Sequence, residues 1–262
     1  MPPPLALEAH GTGEPIALVH GFTQTKASWA RLLPILARCC PPPTRFVTVD
    51  LPGHGASAAV GVEDLAGAAA LLGESVGRAS YVGYSLGGRT CLTLALERPE
   101  LVERLVLIGA TAGIEDEQER AKRRAQDDGL AAQIDAGGDG QVEEFLRRWI
   151  AGPLFARLSP EQADLEARSR DAGGLAASLR SCGTGTQPPS WDRLSQLDMP
   201  VLVCAGAEDL RFSALARRLA TAIGPNARTA IVPGAGHAAC FERPEAFAHA
   251  LAQFFATTRQ ER

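Results

Sequence analysis

Along this chain apolar residues gather in short, near-continuous runs, separated by longer stretches in which they recur with helical spacing. The runs fall at 16–20, 45–50, 79–83, 104–109, 200–205 and 228–232. Runs of that length with little polar alternation are the signature of strands buried on both faces. A weaker strand precedes them around His10. Helical spacing occupies 27–39, 63–76, 86–97, 213–223 and 244–256, and Pro99 stops the third of these segments. Such alternation predicts an α/β fold, a mostly parallel central sheet flanked by helices.

The alternation breaks between Ala112 and Ser190, where the chain turns charged and helical, with loops at 136–140 and 172–174. No strand run interrupts this stretch, and it closes on the turn-rich segment Gly183-Thr-Gly-Thr-Gln-Pro-Pro-Ser190. The expected organisation is therefore a core made of residues 1–111 and 191–262, with 112–190 inserted as a helical lid. A lid there covers the C-terminal edge of the sheet, where open α/β sheets place their sites.

Composition narrows the partners. With 262 residues, 45 % hydrophobic and 21 % charged, the chain can bury one substantial globular core. A net charge of −4 argues against nucleic acid or an anionic membrane as partner. No apolar run approaches the roughly 18 residues of a membrane span. The start, MPPPLALEAH, lacks the basic and apolar regions of a signal peptide. Cysteines 39, 40, 91, 182, 204 and 240 form no CxxC pair and no metal-ligand spacing. Free thiols in a cytoplasmic protein are expected, with no metal and no cofactor; a monomer and a homo-oligomer both fit. Lys26 and Lys122 are the only lysines in a chain rich in Ala, Gly and Pro. That bias fits a GC-rich genome, so only the position of an arginine argues for anion binding.

The sharpest chemical signal is Gly83-Tyr84-Ser85-Leu86-Gly87, a G-x-S-x-G between a strand run and a helix. Such a turn strains the serine backbone and leaves no room for Cβ atoms at its flanks, so the glycines are needed. The hydroxyl then stands above the sheet at a helix N-terminus, which favours developing negative charge. A serine hydroxyl needs a base, and the base an orienting acid. In elbows of this kind the acid and then the histidine follow in chain order. Among histidines 10, 20, 54, 237 and 249, only His237, in Gly234-Ala-Gly-His237 after the last strand run, has that order and place. The acid belongs after the preceding strand, where Asp209 is favoured and Glu208 is the other candidate. Asp50, in Asp50-Leu-Pro-Gly-His-Gly, reads as the fastener of a tight turn. The N–H groups of Leu86 and of Phe22, in the loop after Val19-His20-Gly21, are candidate oxyanion donors.

Together these residues resemble the α/β-hydrolase superfamily over essentially the whole chain, a fold that hosts many reactions. More closely, the sequence resembles the 2-succinyl-6-hydroxy-2,4-cyclohexadiene-1-carboxylate synthases of menaquinone biosynthesis. The matching pieces are His20-Gly-Phe-Thr-Gln24, Gly83-Tyr-Ser-Leu-Gly-Gly-Arg89, Glu119-Arg-Ala-Lys-Arg-Arg124, Trp149 with Pro153-Leu-Phe155, Gly174-Leu-Ala-Ala-Ser-Leu179 and Gly183-Thr-Gly-Thr-Gln187. The resemblance implies a small polycarboxylate substrate, gripped by Arg89, Arg123 and Arg168 through the bidentate fit of guanidinium to carboxylate. Arg120 and Arg124 compete with Arg123, and Arg170 with Arg168. Tyr84 and Trp149 are expected to line the cavity. The implied reaction is cofactor-free elimination of pyruvate from an enolpyruvyl ether, with Ser85 and His237 removing a ring proton. The chain departs from the family at Ile150, where some members have tyrosine, and at Arg168-Ser-Arg-Asp171, which replaces an asparagine-rich stretch. The triad residues alone equally fit a carboxylesterase or carbon–carbon bond hydrolase acting through an acyl-enzyme. A non-catalytic ligand sensor is the reading from another class, and the intact triad argues against it.

Overall fold

The computed structural model describes residues 4–40 and 43–260. Residues 1–3, on which the expectation of no signal peptide partly rests, lie outside them. Seven strands form one sheet in the order β1-β3-β2-β4-β5-β6-β7. They are β1 (Leu7–Gly11), β2 (Glu14–Val19), β3 (Thr44–Val49), β4 (Ala79–Tyr84), β5 (Val102–Ile108), β6 (Val201–Gly206) and β7 (Ala227–Val232). The edge strand β1 runs antiparallel to β3, and the remaining pairs are parallel. Strands β4 and β6 are buried along their whole length, which explains their unbroken apolar character.

The helices are α1 (Leu33–Cys39), α2 (Leu65–Val76), α3 (Leu86–Glu97), α4 (Glu117–Gly137), α5 (Val142–Ile150), α6 (Pro160–Ala163), α7 (Ala172–Cys182), α8 (Leu210–Ile223), α9 (Ala239–Glu242) and α10 (Pro244–Gln260). One face of the sheet is closed by α1 packed on α10, around Trp29, Leu36, Phe46 and Phe247. The other is closed by α2, α3 and α8, around Leu72, Leu92, Leu107 and Leu219. Helices α4 to α7 lie in the chain between β5 and β6, and α4, α5 and α7 share a small core of their own that includes Ile134, Phe145, Leu146 and Leu175. An isolated bridge between Gln24 and Arg168 ties this insertion to the loop after β2. Among the described residues no helix is long and apolar enough to cross a membrane. All six cysteines are free thiols, and all but Cys39 are buried.

Three local expectations are corrected. The segment expected as one helix over 27–39 is a 3-10 turn, Lys26–Trp29, followed by α1 from Leu33. Trp29 drops fully into the core, and Pro34, having no N–H to donate, fits only the first turn of a new helix. Helix α8 starts at Leu210, not near 213, because Asp209 caps it by accepting the Phe212 N–H at 3.0 Å. Residues 172–174, expected as loop, form the first turn of α7, where the Asp171 carboxylate accepts the Gly174 N–H at 2.6 Å. A Cβ on Gly174 would sit 2.6 Å from the Gly53 carbonyl oxygen, so that glycine answers to packing, not to a turn.

Candidate active site

The elbow between β4 and α3 holds Ser85 at φ 52° and ψ −109°, a strained conformation for a residue with a side chain. A Cβ on Gly87 would collide with the Val19 carbonyl, and one on Gly83 with the Gly87 carbonyl, so both flanks must be glycine. Ser85 Oγ lies 3.4 Å from His237 Nε2, in the orientation for its hydroxyl to donate to the ring. On the other side His237 Nδ1–H donates to Asp209 Oδ2 at 3.2 Å. Burial opposes the charge on Asp209, but hydrogen bonds from His237 and the Phe212 N–H outweigh it and hold the carboxyl below its usual range. One carboxylate therefore caps α8 and orients the histidine. Its neighbour Glu208 turns away to pair with Arg157 at 2.8 Å.

Phe22 sits in the loop after β2, and Leu86 is the first residue of α3, so its N–H has no partner within that helix. Two fully buried histidines frame the Phe22 loop. His20 donates from Nδ1 to the Gly21 carbonyl at 2.8 Å and accepts the Leu51 N–H at Nε2, 3.0 Å away. His54 donates from Nδ1 to the Pro52 carbonyl at 2.9 Å and accepts the Thr23 N–H at Nε2, 3.3 Å away. The rings are 5.0 Å apart. Burial dominates both and lowers their pKa values, to about 4 for His20 and about 3 for His54. Both are neutral at pH 7, as these hydrogen bonds require. Asp50 fastens the adjoining turn by accepting the N–H groups of Lys26 at 2.6 Å and Ala56 at 2.9 Å.

Above the C-terminal ends of the strands, and beneath the insertion, lies a cavity of about 730 Å³ whose lining includes Ser85 and His237. Arg89, Arg123, Arg168, Tyr84 and Trp149 line it as well. Arg89 is buried on α3; its guanidinium donates to Gln187 Oε1 at 3.2 Å and the Cys182 carbonyl at 2.8 Å. Burial lowers its pKa to about 10, which leaves it charged at neutral pH. Arg168, also buried, donates to the Ala163 carbonyl at 2.9 Å and to Thr23 Oγ1 at 2.5 Å. Arg123 is partly exposed and pairs with Asp127. The competing positions turn elsewhere. Arg120 donates to the Ile114 carbonyl, Arg124 to the Gly185 carbonyl, and Arg170 pairs with Glu143. Among the described residues, Tyr84 Oη and Trp149 Nε1 are buried without a hydrogen-bond partner. Leaving such buried atoms unpaired costs free energy.

The sequence pattern missed Glu242. Its buried carboxylate accepts the Gly236 N–H at 2.5 Å and the Ala238 N–H at 2.9 Å, gripping the backbone on both sides of His237. Gln162 of α6 donates to the Glu242 carbonyl at 3.1 Å, so the insertion is tied to the same loop. Nothing in Phe241-Glu-Arg-Pro244 distinguishes this glutamate from a surface charge. Asp127 was missed likewise, on a helix with charges all round.

A strained serine on a strand-to-helix elbow, with an acid and a histidine supplied by later loops of a parallel sheet, defines an α/β-hydrolase-type enzyme site. Residues 16–250 match the alpha/beta hydrolase family. The chain is 34% identical to a 2-succinyl-6-hydroxy-2,4-cyclohexadiene-1-carboxylate synthase of Serratia proteamaculans, over 90% of this chain and 91% of that protein. It is 31% identical to the synthase of the same name from Salmonella typhimurium, over 93% of this chain and 96% of the other. The solved structure of MenH from S. aureus superposes with a TM-score of 0.87 at 25% identity, covering 97% of this chain and 98% of that one. The chain belongs to the alpha/beta hydrolase family and, within it, to the 2-succinyl-6-hydroxy-2,4-cyclohexadiene-1-carboxylate synthases.

Proposed function

We propose that this enzyme is a carbon–oxygen lyase of menaquinone biosynthesis. It eliminates pyruvate from 2-succinyl-5-enolpyruvyl-6-hydroxy-3-cyclohexene-1-carboxylate to give the 2-succinyl-6-hydroxy-2,4-cyclohexadiene-1-carboxylate. The observation that carries the reading is that Arg89, Arg123 and Arg168, from separate elements, line one cavity with Ser85 and His237. A site for neutral esters has no use for three guanidinium groups; a substrate with several carboxylates does.

The chemistry follows from the geometry. His237 Nε2 takes the Ser85 hydroxyl proton, and Asp209 stabilises the imidazolium that results. Ser85 Oγ then removes the ring proton beside the succinyl carbonyl. Negative charge gathers on that carbonyl oxygen, where the N–H groups of Phe22 and Leu86 stabilise it. The electron pair forms the new ring double bond, the existing one shifts, and the ring carbon–oxygen bond breaks. The enolpyruvyl group leaves as an enolate and takes up a proton to become pyruvate. Ser85 is a base here, not an acyl nucleophile, and no cofactor takes part. Tyr84 and Trp149 line the cavity around the substrate. Segment 112–190 acts as the lid that excludes water, over a core of 1–111 and 191–262. The free thiols suit the cytoplasm.

The deciding experiment gives purified enzyme the enolpyruvyl precursor and follows pyruvate with a coupled lactate dehydrogenase assay. Prompt, stoichiometric pyruvate release is expected. Slow release from the precursor with fast turnover of nitrophenyl esters would instead mean an esterase. Glu242 offers a finer check, because Glu242→Gln puts an amide donor against one of the two N–H groups beside His237. The expected result is a kcat lower by about 10- to 100-fold, with KM within about threefold, since the base is displaced while the arginines are untouched. Steady-state kinetics beside a thermal melt separates this from loss of fold.

A further inference from the structure

The Gly183-Thr-Gly-Thr-Gln187 strap follows α7 and lies against α4. Helix α4 has 21 residues, yet only Asp127, Ala131 and Ile134 are buried on it. Two of those positions are apolar, as core contact demands; the third is a carboxylate. Asp127 is 1 % exposed. A buried carboxylate is destabilising unless partners compensate.

Its partners are specific. Asp127 Oδ1 takes the Nε–H of Arg123 at 2.9 Å, and Oδ2 takes the Gly185 N–H at 3.2 Å. The strap reaches Oδ2 because it lacks side chains there. A Cβ on Gly185 would collide with the α4 backbone at Arg124, and one on Gly183 would sit 2.7 Å from Asp127 Oδ2. The strap's last residue, Gln187, accepts from Arg89 Nη1 at 3.2 Å and donates to the Thr111 carbonyl at 3.4 Å. The carbonyl that accepts Arg89 Nη2, Cys182, directly precedes the strap. Arg89 and Arg123 thus come from different elements but share one scaffold. They are near enough that the charge of Arg123 works against protonation of Arg89 while that of Asp127 supports it.

We propose that Asp127 and the 183–187 strap form a positioning frame that holds Arg89 and Arg123 as one clamp for a single carboxylate of the substrate. This rests on the carboxylate-rich substrate proposed above and assigns residues that act only through the two arginines. Binding Nε of Arg123 to Asp127 turns the two terminal nitrogens outward, the edge that grips a carboxylate bidentately. Two guanidinium charges and one carboxylate leave one net positive charge, the match for one carboxylate. Without Asp127, the partly exposed Arg123 is free to swing toward water, and two like charges face each other without a counter-ion. Asp127 is a positioning residue; it touches no reacting atom.

The test is a double-mutant cycle read as KM against kcat for the enolpyruvyl substrate. Asp127→Asn is expected to raise KM about tenfold with kcat changed by less than about threefold, the mark of lost uniform binding. Arg123→Gln raises KM by about 30-fold, and the double variant stays within about twofold of Arg123→Gln, because Asp127 acts through that arginine. KM effects that multiply in the double variant, or a fall in kcat at constant KM, overturn the frame. Where Asp127→Asn does not fold, Gln187→Met tests the same scaffold from the Arg89 side; KM about fivefold higher is expected, and an unmoved KM overturns it. Wild type is assayed first. No pyruvate from wild type strikes the functional reading itself, whereas wild-type pyruvate release with an unmoved KM in the variants strikes the frame alone.

Discussion

Ser85→Ala is expected to lower kcat for pyruvate release by about 10²- to 10⁴-fold while KM stays within about threefold, the range for loss of a positioned general base. The hydroxyl removed is the atom 3.4 Å from His237 Nε2. Alanine keeps the Cβ, so the strained backbone at φ 52° is no worse for the change. Arg89, Arg123 and Arg168 keep their places, so binding is retained and the loss falls on the chemical step. A base and a nucleophile differ in what accumulates. Intact-protein mass spectra of wild-type enzyme quenched during turnover should show the free enzyme alone. An added mass removed by the Ser85→Ala change would mean that Ser85 forms a covalent intermediate. Residual activity above about a tenth of wild type would remove Ser85 from the proton transfer altogether.

Acid is expected to unfold this enzyme well before the carboxylates titrate. In the unfolded chain His20 and His54 take up protons near their ordinary value of 6.5. In the folded chain burial holds them neutral down to about 4 and about 3. Between those limits the unfolded state binds more protons, so lowering the pH favours it. Stability from these groups is fully present above pH 6.5 and declines as pH falls toward 4. The slope approaches about 1.4 kcal/mol per pH unit for each histidine. Two such groups over two pH units reach the order of the whole stability of a typical domain, about 5–15 kcal/mol. Asp50 and Asp209, both held below the usual carboxylate range, add their own loss at still lower pH. Urea midpoints at pH 7.5, 6.0 and 5.0 should fall steeply, and less so in His20→Gln and His54→Gln variants. A midpoint that does not move across this range would rule the mechanism out. Activity should follow stability, because both rings hold the loop that carries the Phe22 N–H.

Much of the fold was legible because buried parallel strands and amphipathic helices leave periodicities in the chain. The elbow was legible because its glycines answer to backbone collisions that occur wherever such a turn is built. His237 and Asp209 were legible from their places just after strands. Local rules failed where long-range packing took over, as at Trp29, whose burial breaks the expected 27–39 helix, and at Gly174, which faces the Gly53 carbonyl from within α7.

The sequence by itself determined the layered α/β architecture, the strained serine and the places of Asp209 and His237 just after strands. Only the tertiary structure decided which charges serve the cavity. Arg123 faces it while Arg120 and Arg124 do not, and Arg168 is buried while Arg170 pairs on the surface. It also decided that Glu242 grips the His237 loop and that Asp127 is buried against the strap at Gly185. The physical reason is range. Periodicity and turn chemistry act between near neighbours, whereas a buried charge is specified by partners that folding brings from distant parts of the chain.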